Sequence, residues 1–377
     1  MTFSGSIKRV LLLGLLAVIP LHRAEALLNF EDTHTQVFVF GNVSFGYNSN
    51  IFSDSTQRGD SSLTAVAGMD LSRQAGLIAV NATGKVSYQR FNTYTGEDAL
   101  DPNFSIEFVK STGRATGSFS ASAYRESRSD SAVNLRTNSW NIPLDLKIRY
   151  PVSERFYATS DTGYLRRTYA DDNPELHNYH DYDEALDLFY IYTSKLDLVA
   201  GYRIRFSQAT GGPDTYDHWF NVGATGALLA KLNGTVRFGY EIRDIDNGQS
   251  YDHFNVLAAL SWTVTRKLTL TSQISRDFNT IATGASVDST VVALRANYSL
   301  TRKWEVEGGV AYGRNLFLGG GTDSRRDEFF SADIGVHYKL NEHFRLAVSY
   351  TYLQNWSTLS ISDFNRNGFS VDLSSRF

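Results

Sequence analysis

The sequence contains no cysteine, which excludes a disulfide framework, a thiolate metal site and a cysteine nucleophile. Histidine is sparse, at eight residues, and no Gly-x-Ser-x-Gly elbow is present, so the commonest hydrolase signature is missing. Neither charge is in surplus: 36 Lys and Arg stand against 40 Asp and Glu, a formal net of −4. A nucleic-acid partner, which calls for a basic face or stripe, is thereby disfavoured. Past residue 27 no apolar run approaches the ~20 residues of a membrane-crossing helix. Proline is rare, at six.

What is present begins with a leader. Lys8 and Arg9 precede an apolar run, Val10 to Ile19, and Ala24-Glu25-Ala26 follows with the small–x–small pattern of a cleavage site. Ten apolar residues cannot cross ~30 Å of hydrocarbon as a helix, so the run predicts a secretory signal over residues 1–26 and a mature domain over 27–377. Without a long helix, the mature chain can enter a membrane only as a closed barrel.

Period-two alternation runs through that domain. In Leu232 to Arg243, Leu232, Val236, Phe238, Tyr240 and Ile242 share one face, while Asn233, Arg237, Glu241 and Arg243 share the other. Leu196 to Ser207 and Phe330 to Leu340 divide in the same way. A helix would space these residues by three and four. Short turn signals recur at Arg73, Thr112, Ser153, Ser194, Ala230, Arg266, Arg302 and Glu342, at gaps of 36 to 41 residues. Longer polar stretches lie between them, one hairpin per repeat. Aromatics gather near strand ends, at Phe38, Phe40, Phe45, Tyr47, Trp140, Tyr150, Trp219, Phe220, Trp262, Trp304, Tyr350, Tyr352 and Trp356, as interfacial girdles require.

The pattern predicts an all-β fold: a closed antiparallel transmembrane β-barrel of about eighteen strands, with short periplasmic turns and longer extracellular loops. Sixteen strands is the alternative, because residues 103–126 and 281–300 alternate weakly. Pro102, Pro151, Pro174 and Pro213 are expected in turns or loops, and Pro143 inside a strand at a bulge. The last strand carries Phe369, Val371, Leu373 and Phe377 on one face. Its expected partner is Gln36 to Tyr47, and its terminal aromatic is expected to be read by the barrel insertion machinery.

Gly46-Tyr47-Asn48-Ser49-Asn50-Ile51-Phe52 resembles the opening of the family called putative beta-barrel porin 2. The seams Tyr150-Pro-Val-Ser-Glu-Arg-Phe156, Tyr298-Ser-Leu-Thr-Arg-Lys-Trp304 and Tyr338-Lys-Leu-Asn-Glu-His-Phe344 are similar to that family, as is the close from Tyr350 to Phe377. The resemblance implies an outer-membrane barrel surrounded by lipid. For some members it also implies a link to exopolysaccharide production and its export components.

Alternation places Lys85, Glu107, Asp145, Lys147 and Arg149 on the inward face. It places Arg203, Arg205, Arg237, Glu241 and Arg243 there too, with Arg295, Glu305, Glu307, Asp333, Lys339 and Arg345. These are the candidate pore-lining residues: individually they read as solvated lumen residues in a salt-bridged network, and collectively such charges can tune the selectivity of a wide barrel. Arg203, Arg205, Arg237 and Arg243 fall on adjacent hairpins, an arrangement that predicts an anion-leaning constriction. His177, His180, Asp181, Asp183 and Glu184 could ligate a metal, but their spacing fits no template, so no metal and no cofactor is expected. A barrel hydrolase built on His337 with Ser331 or Ser370 is the least favoured reading. The leading expectation is passive passage of ions or small hydrophilic solutes, with no enzymatic activity. A polysaccharide-export role, using Tyr94, Tyr169, Tyr179 and Tyr216 as loop platforms, is the alternative.

Overall fold

The computed structural model describes residues 28–30, 35–170, 173–246, 248–319 and 325–377. The leader predicted over residues 1–26 lies outside the described residues, as do Gly320 and Gly321. A short strand, β1 (Leu28–Phe30), precedes β2 (Thr35–Asn48), β3 (Asp60–Ala75), β4 (Ile78–Phe91), β5 (Ala99–Lys110) and β6 (Thr116–Asp130). The chain continues through β7 (Leu135–Pro151), β8 (Phe156–Tyr169), β9 (Tyr179–Thr193), β10 (Leu196–Ala209), β11 (Thr215–Leu229) and β12 (Leu232–Ile245). It ends with β13 (Ser250–Thr263), β14 (Leu268–Thr280), β15 (Ser286–Ser299), β16 (Trp304–Phe317), β17 (Arg326–Lys339), β18 (Phe344–Ser357) and β19 (Phe364–Arg376).

Each strand from β2 to β19 pairs antiparallel with its neighbours in sequence, and β19 returns to β2. Eighteen strands therefore close a ring, and the weakly patterned stretches 103–126 and 281–300 do form β5, β6 and β15. The seam is the expected one. Arg376 opposes Phe40, and Phe377 and Val39 exchange backbone hydrogen bonds at 2.8 and 3.0 Å. Below that point β1 pairs with Thr35 to Val37 and continues the same edge of β2.

The faces are inverted relative to a water-soluble sandwich. Outward side chains are apolar and open, among them Val222 at 61% exposure and Phe254 at 59%. The most deeply buried side chains include Arg243, Glu241, Asn141 and Asp217. A soluble sheet pair would bury the first group and solvate the second. The outward aromatics form two belts, Tyr150, Phe156, Tyr190, Trp262 and Trp304 below and Tyr47, Tyr88, Tyr164, Tyr182, Tyr240, Tyr312 and Tyr350 above. Three residues assigned to these girdles turn inward instead: Phe38 lies beneath the Arg376 guanidinium, Phe40 packs over Gly68, and Trp219 is buried beside Arg203.

Proline placement differs from expectation at three sites. Pro102 lies within β5 opposite Val86, and Pro151 closes β7 opposite Tyr157. Pro143 sits in β7 without a bulge: the β6–β7 ladder lapses between Ala121↔Leu144 and Tyr124↔Asn141 and resumes in the same register. A missing donor is tolerated there because the ladder to β8 stays intact.

Candidate functional site

Strands β2 to β19 are 12 to 17 residues long, whereas a tilted span of the membrane needs only about ten. The surplus projects beyond the outer girdle, and two hairpins use it to fold into the lumen. The ladder between β5 and β6 stops at Asn103↔Tyr124 while β6 runs on to Asp130. The ladder between β13 and β14 stops at Val256↔Arg276 while β14 runs on to Thr280. Freed on one edge, the β6–β7 and β14–β15 hairpins leave the wall. They stand eight strands apart in an eighteen-strand ring, so they enter from opposite sides.

The first hairpin reaches the wall formed by β17, β19 and the loop after β2. Arg325 donates to the carbonyls of Ala132 and Ser131 at 2.6 and 2.8 Å, and Asp327 holds its guanidinium at 2.6 Å. Asn134 donates to the Ser53 carbonyl at 2.8 Å and accepts from Ser362 at 2.6 Å. Arg366 donates to the hydroxyls of Ser53 and Ser129.

The second hairpin is held by the arginines that alternation singled out. Arg205 donates to the Phe278 carbonyl, and Arg243 donates to the Asn279 carbonyl at 2.9 Å. The Phe278 ring is wedged between Arg243 and His253. At the tip, His177 donates its backbone N–H to the Ala282 carbonyl at 2.7 Å.

Each of these arginines is matched by carboxylates. Arg243 grips Asp217 through two nitrogens, at 2.6 and 2.7 Å, and Arg205 shares that carboxylate at 2.6 Å. Arg203 spans Glu241 and Asp277, both at 2.9 Å. Arg237 makes a two-pronged pair with Asp187 at 2.8 Å. Glu241 also accepts from Asn255 at 2.5 Å and lies 3.2 Å from His253 Nε2. Four guanidinium groups thus meet four carboxylates. The charges are cancelled locally; Arg203, Arg205 and Arg243 clamp the hairpin, while the Arg237–Asp187 pair stays within the wall.

Glycine makes room for this network. A Cβ on Gly201 would overlap the Asp187 carboxylate, and one on Gly239 would overlap the Trp219 indole. Both side chains lie flat across a neighbouring strand only because nothing projects there.

The remaining inward charges lie toward the periplasmic end. Arg295 pairs with Asp333 at 2.9 Å and approaches Glu307 at 4.0 Å. Arg345 pairs with Glu305 at 2.8 Å. His337 lies 3.1 Å from Glu307, whereas Ser370 bonds Ser349 and Asp372. The serine–histidine pairing considered from sequence is therefore not formed. Beneath the second hairpin the wall bounds an open volume of about 680 Å³, lined by Gln273, Arg295 and Asp333 among others.

The His177–Glu184 segment is divided by the alternation of β9. His180 and Glu184 point outward, while Asp181 and Asp183 point inward. Among the aromatic platforms proposed for sugar, Tyr179 is buried and Tyr216 lies on the outer wall. Sequence reasoning missed Asp187, Asp217, Asp277, Arg325 and Asn134. The first two were legible as inward positions of β9 and β11; Asp277 was hidden because its strand leaves the wall.

Eighteen antiparallel strands closed on themselves, apolar outside, charged inside and narrowed by inward hairpins define a closed β-barrel with the face chemistry of an outer-membrane protein. Residues 202–377 match the family described as putative beta-barrel porin 2, the one whose opening and seams the sequence resembles. No curated protein matches the chain. Three solved structures from Pseudomonas aeruginosa are similar in fold. OccK3 (OpdO) has a TM-score of 0.52 at 11% identity, covering 92% of this chain and 96% of that one. OpdQ has a TM-score of 0.51 at 9% identity, covering 91% and 98%. OpdK with vanillate has a TM-score of 0.51 at 10% identity, covering 90% and 99%.

Proposed function

We propose that the protein is a porin-like channel for passive passage of ions or small hydrophilic solutes across the outer membrane. The observation that carries the reading is a closed barrel whose interior is charged and whose outer end is narrowed, from opposite walls, by two clamped hairpins. A barrel of this size with no inward hairpin would admit solutes with little discrimination. In this reading the hairpins set the bore, and the periplasmic wall residues Arg295, Glu305, Glu307, Asp333, Lys339 and Arg345 border the passage below them. Arg203, Arg205, Arg237, Glu241 and Arg243 line the upper lumen; Arg203, Arg205 and Arg243 hold the second hairpin directly, Glu241 anchors Arg203, and Arg237 pairs with Asp187 within the wall. Phe377 is the residue read by the insertion machinery. No catalytic step forms part of this reading.

Planar-bilayer recording of refolded protein tests it. Discrete conductance steps are expected; a barrel that inserts, resists proteolysis and never conducts would overturn the channel reading. No observation favours polysaccharide export.

A further inference from the structure

Between the two aromatic belts, the outward wall carries a single acid among the described residues, Glu184 on β9. It is surrounded by apolar neighbours: Leu186 and Leu188 on its own strand, Ile204 opposite on β10, and Leu144, Leu146 and Ile148 on β7 beyond β8. Beside it on β8 stand Ser160 and Thr162. Ser160 donates to one carboxylate oxygen of Glu184 at 2.7 Å and Thr162 donates to the other. A carboxylate facing lipid is costly unless donors surround it. Two hydroxyls fill only part of its accepting capacity, since a carboxylate offers about four lone-pair sites.

Directly above lie Tyr164 and Tyr182 of the upper belt, with ring centroids 4.8 Å apart. Tyr164 shares a hydrogen bond with His180 Nδ1 at 2.9 Å. One step higher, Arg166 stands opposite His180, exposed and with no carboxylate within 4 Å among the described residues. From Arg166 to Thr162 is four residues of strand, about 13 Å along β8. The outer face therefore presents an unpaired cation above the interface, an aromatic step, and an acceptor just inside the hydrocarbon.

A protein side chain from this molecule does not complete either end. An outer-leaflet glycolipid supplies both in the same vertical order: phosphate on the sugar headgroup, then hydroxyl or amide N–H donors at the roots of its acyl chains. We propose that the outward face of β8 and β9 is a binding site for such a phosphorylated glycolipid. Its phosphate pairs with Arg166, an acyl-chain hydroxyl or amide N–H donates to Glu184, and the chains lie on Leu186 and Leu188. The site is on the outer wall and does not depend on what passes through the lumen.

The test is native mass spectrometry of the full-length folded barrel in detergent, titrated with purified lipid A in phosphorylated and dephosphorylated forms. Wild type is expected to retain the phosphorylated lipid. Arg166→Ala should weaken that form about fivefold, the effect of one exposed ion pair of ~1 kcal/mol, and leave the dephosphorylated form unchanged. Glu184→Leu should weaken both forms, and Glu184→Gln, which keeps an acceptor, should weaken them less. Arg90→Ala serves as control, because Arg90 is an exposed outward cation on β4 with no acid beneath it. Equal affinity across all variants would overturn the proposal. So would competition by inorganic phosphate alone, which marks a bare anion contact. A change in oligomeric mass on Glu184→Leu, without loss of lipid, would assign the face to a protein partner instead.

Discussion

Arg243 closes on Asp217 through Nε and Nη2, at 2.6 and 2.7 Å, and neither side chain is open to water. The same guanidinium donates through Nη1 to the Asn279 carbonyl, so a pair inside the wall determines where the β14–β15 hairpin rests. Asp217→Asn should leave Arg243 and Arg205 short of a counter-charge, a loss on the order of 3–5 kcal/mol when a buried pair is broken. The hairpin is expected to leave the lumen. Conductance should rise, and hydrogen exchange should speed up over residues 277–285. Unchanged exchange there would separate the ion pair from the position of the hairpin.

Arg325 plays the corresponding part for the first hairpin, with two charged hydrogen bonds to tip carbonyls. Arg325→Ala should loosen residues 131–134 by roughly 1–3 kcal/mol. The check is amide exchange at the β6–β7 tip. The β14–β15 tip should keep its protection, because the two latches share no residue.

Gly201 tests whether the room beside Asp187 is needed. Gly201→Ala should displace the Asp187 carboxylate and break its two-pronged contact with Arg237. The denaturant midpoint should fall by an amount close to that of Asp187→Asn. The double variant should add little to either single change, as expected for residues acting through one contact. Additive losses would show that Gly201 matters for another reason.

Asp54, in the loop between β2 and β3, carries a pH dependence of known sign. Burial pushes its carboxyl up, but hydrogen bonds from Thr56 and Arg58, together with the Arg58 charge, outweigh that and hold it below the ordinary 3.8. A carboxylate lowered by folding stabilises the folded loop above its unfolded pKa. That stabilisation is lost as the pH falls through the folded value. The loop should therefore keep its order from neutral pH down to about 4 and loosen only in stronger acid. Exchange of the Ile51 amide, which donates to the Arg58 carbonyl at 2.9 Å, reports this, and Asp54→Asn should flatten the acid response.

Phe377 stacks on His343 with centroids 4.8 Å apart and meets Phe344 edge-on at 5.8 Å, beside the backbone bonds that join β19 to β2. Phe377→Ala should reduce the yield of assembled barrel more than it reduces the stability of barrel already formed. Pulse-chase assembly assays and heat-modifiability on gels measure the two separately.

Much of the wall is legible in the sequence. Strand count, closing seam and the inward set from Arg203 to Arg345 follow from a period of two, because each residue of a strand must face lipid or lumen and the two solvents select opposite chemistries. The eight short turns were found within three residues, the largest offset being at Arg73, where the chain turns at Gly76 and Leu77. The girdle assignment failed at Phe38, Phe40 and Trp219 because nearness to a strand end does not say which face a residue occupies. Pro102 and Pro143 were misjudged because proline disturbs one edge of a strand, and its other edge can still pair.

Alternation along single strands therefore determined the barrel, its inside and its outside. What it could not determine was the fate of strand surplus beyond the membrane. Whether β6–β7 and β14–β15 stand upright or fold inward depends on contacts between residues on strands distant around the ring, such as Arg203 with Asp277 and Ser362 with Asn134. Those contacts bind Arg203, Arg205 and Arg243 into a clamp on the hairpin and leave Arg237 paired with Asp187 in the wall. A periodicity is a local property of the chain, whereas charge compensation exists only where the closed wall brings distant strands face to face.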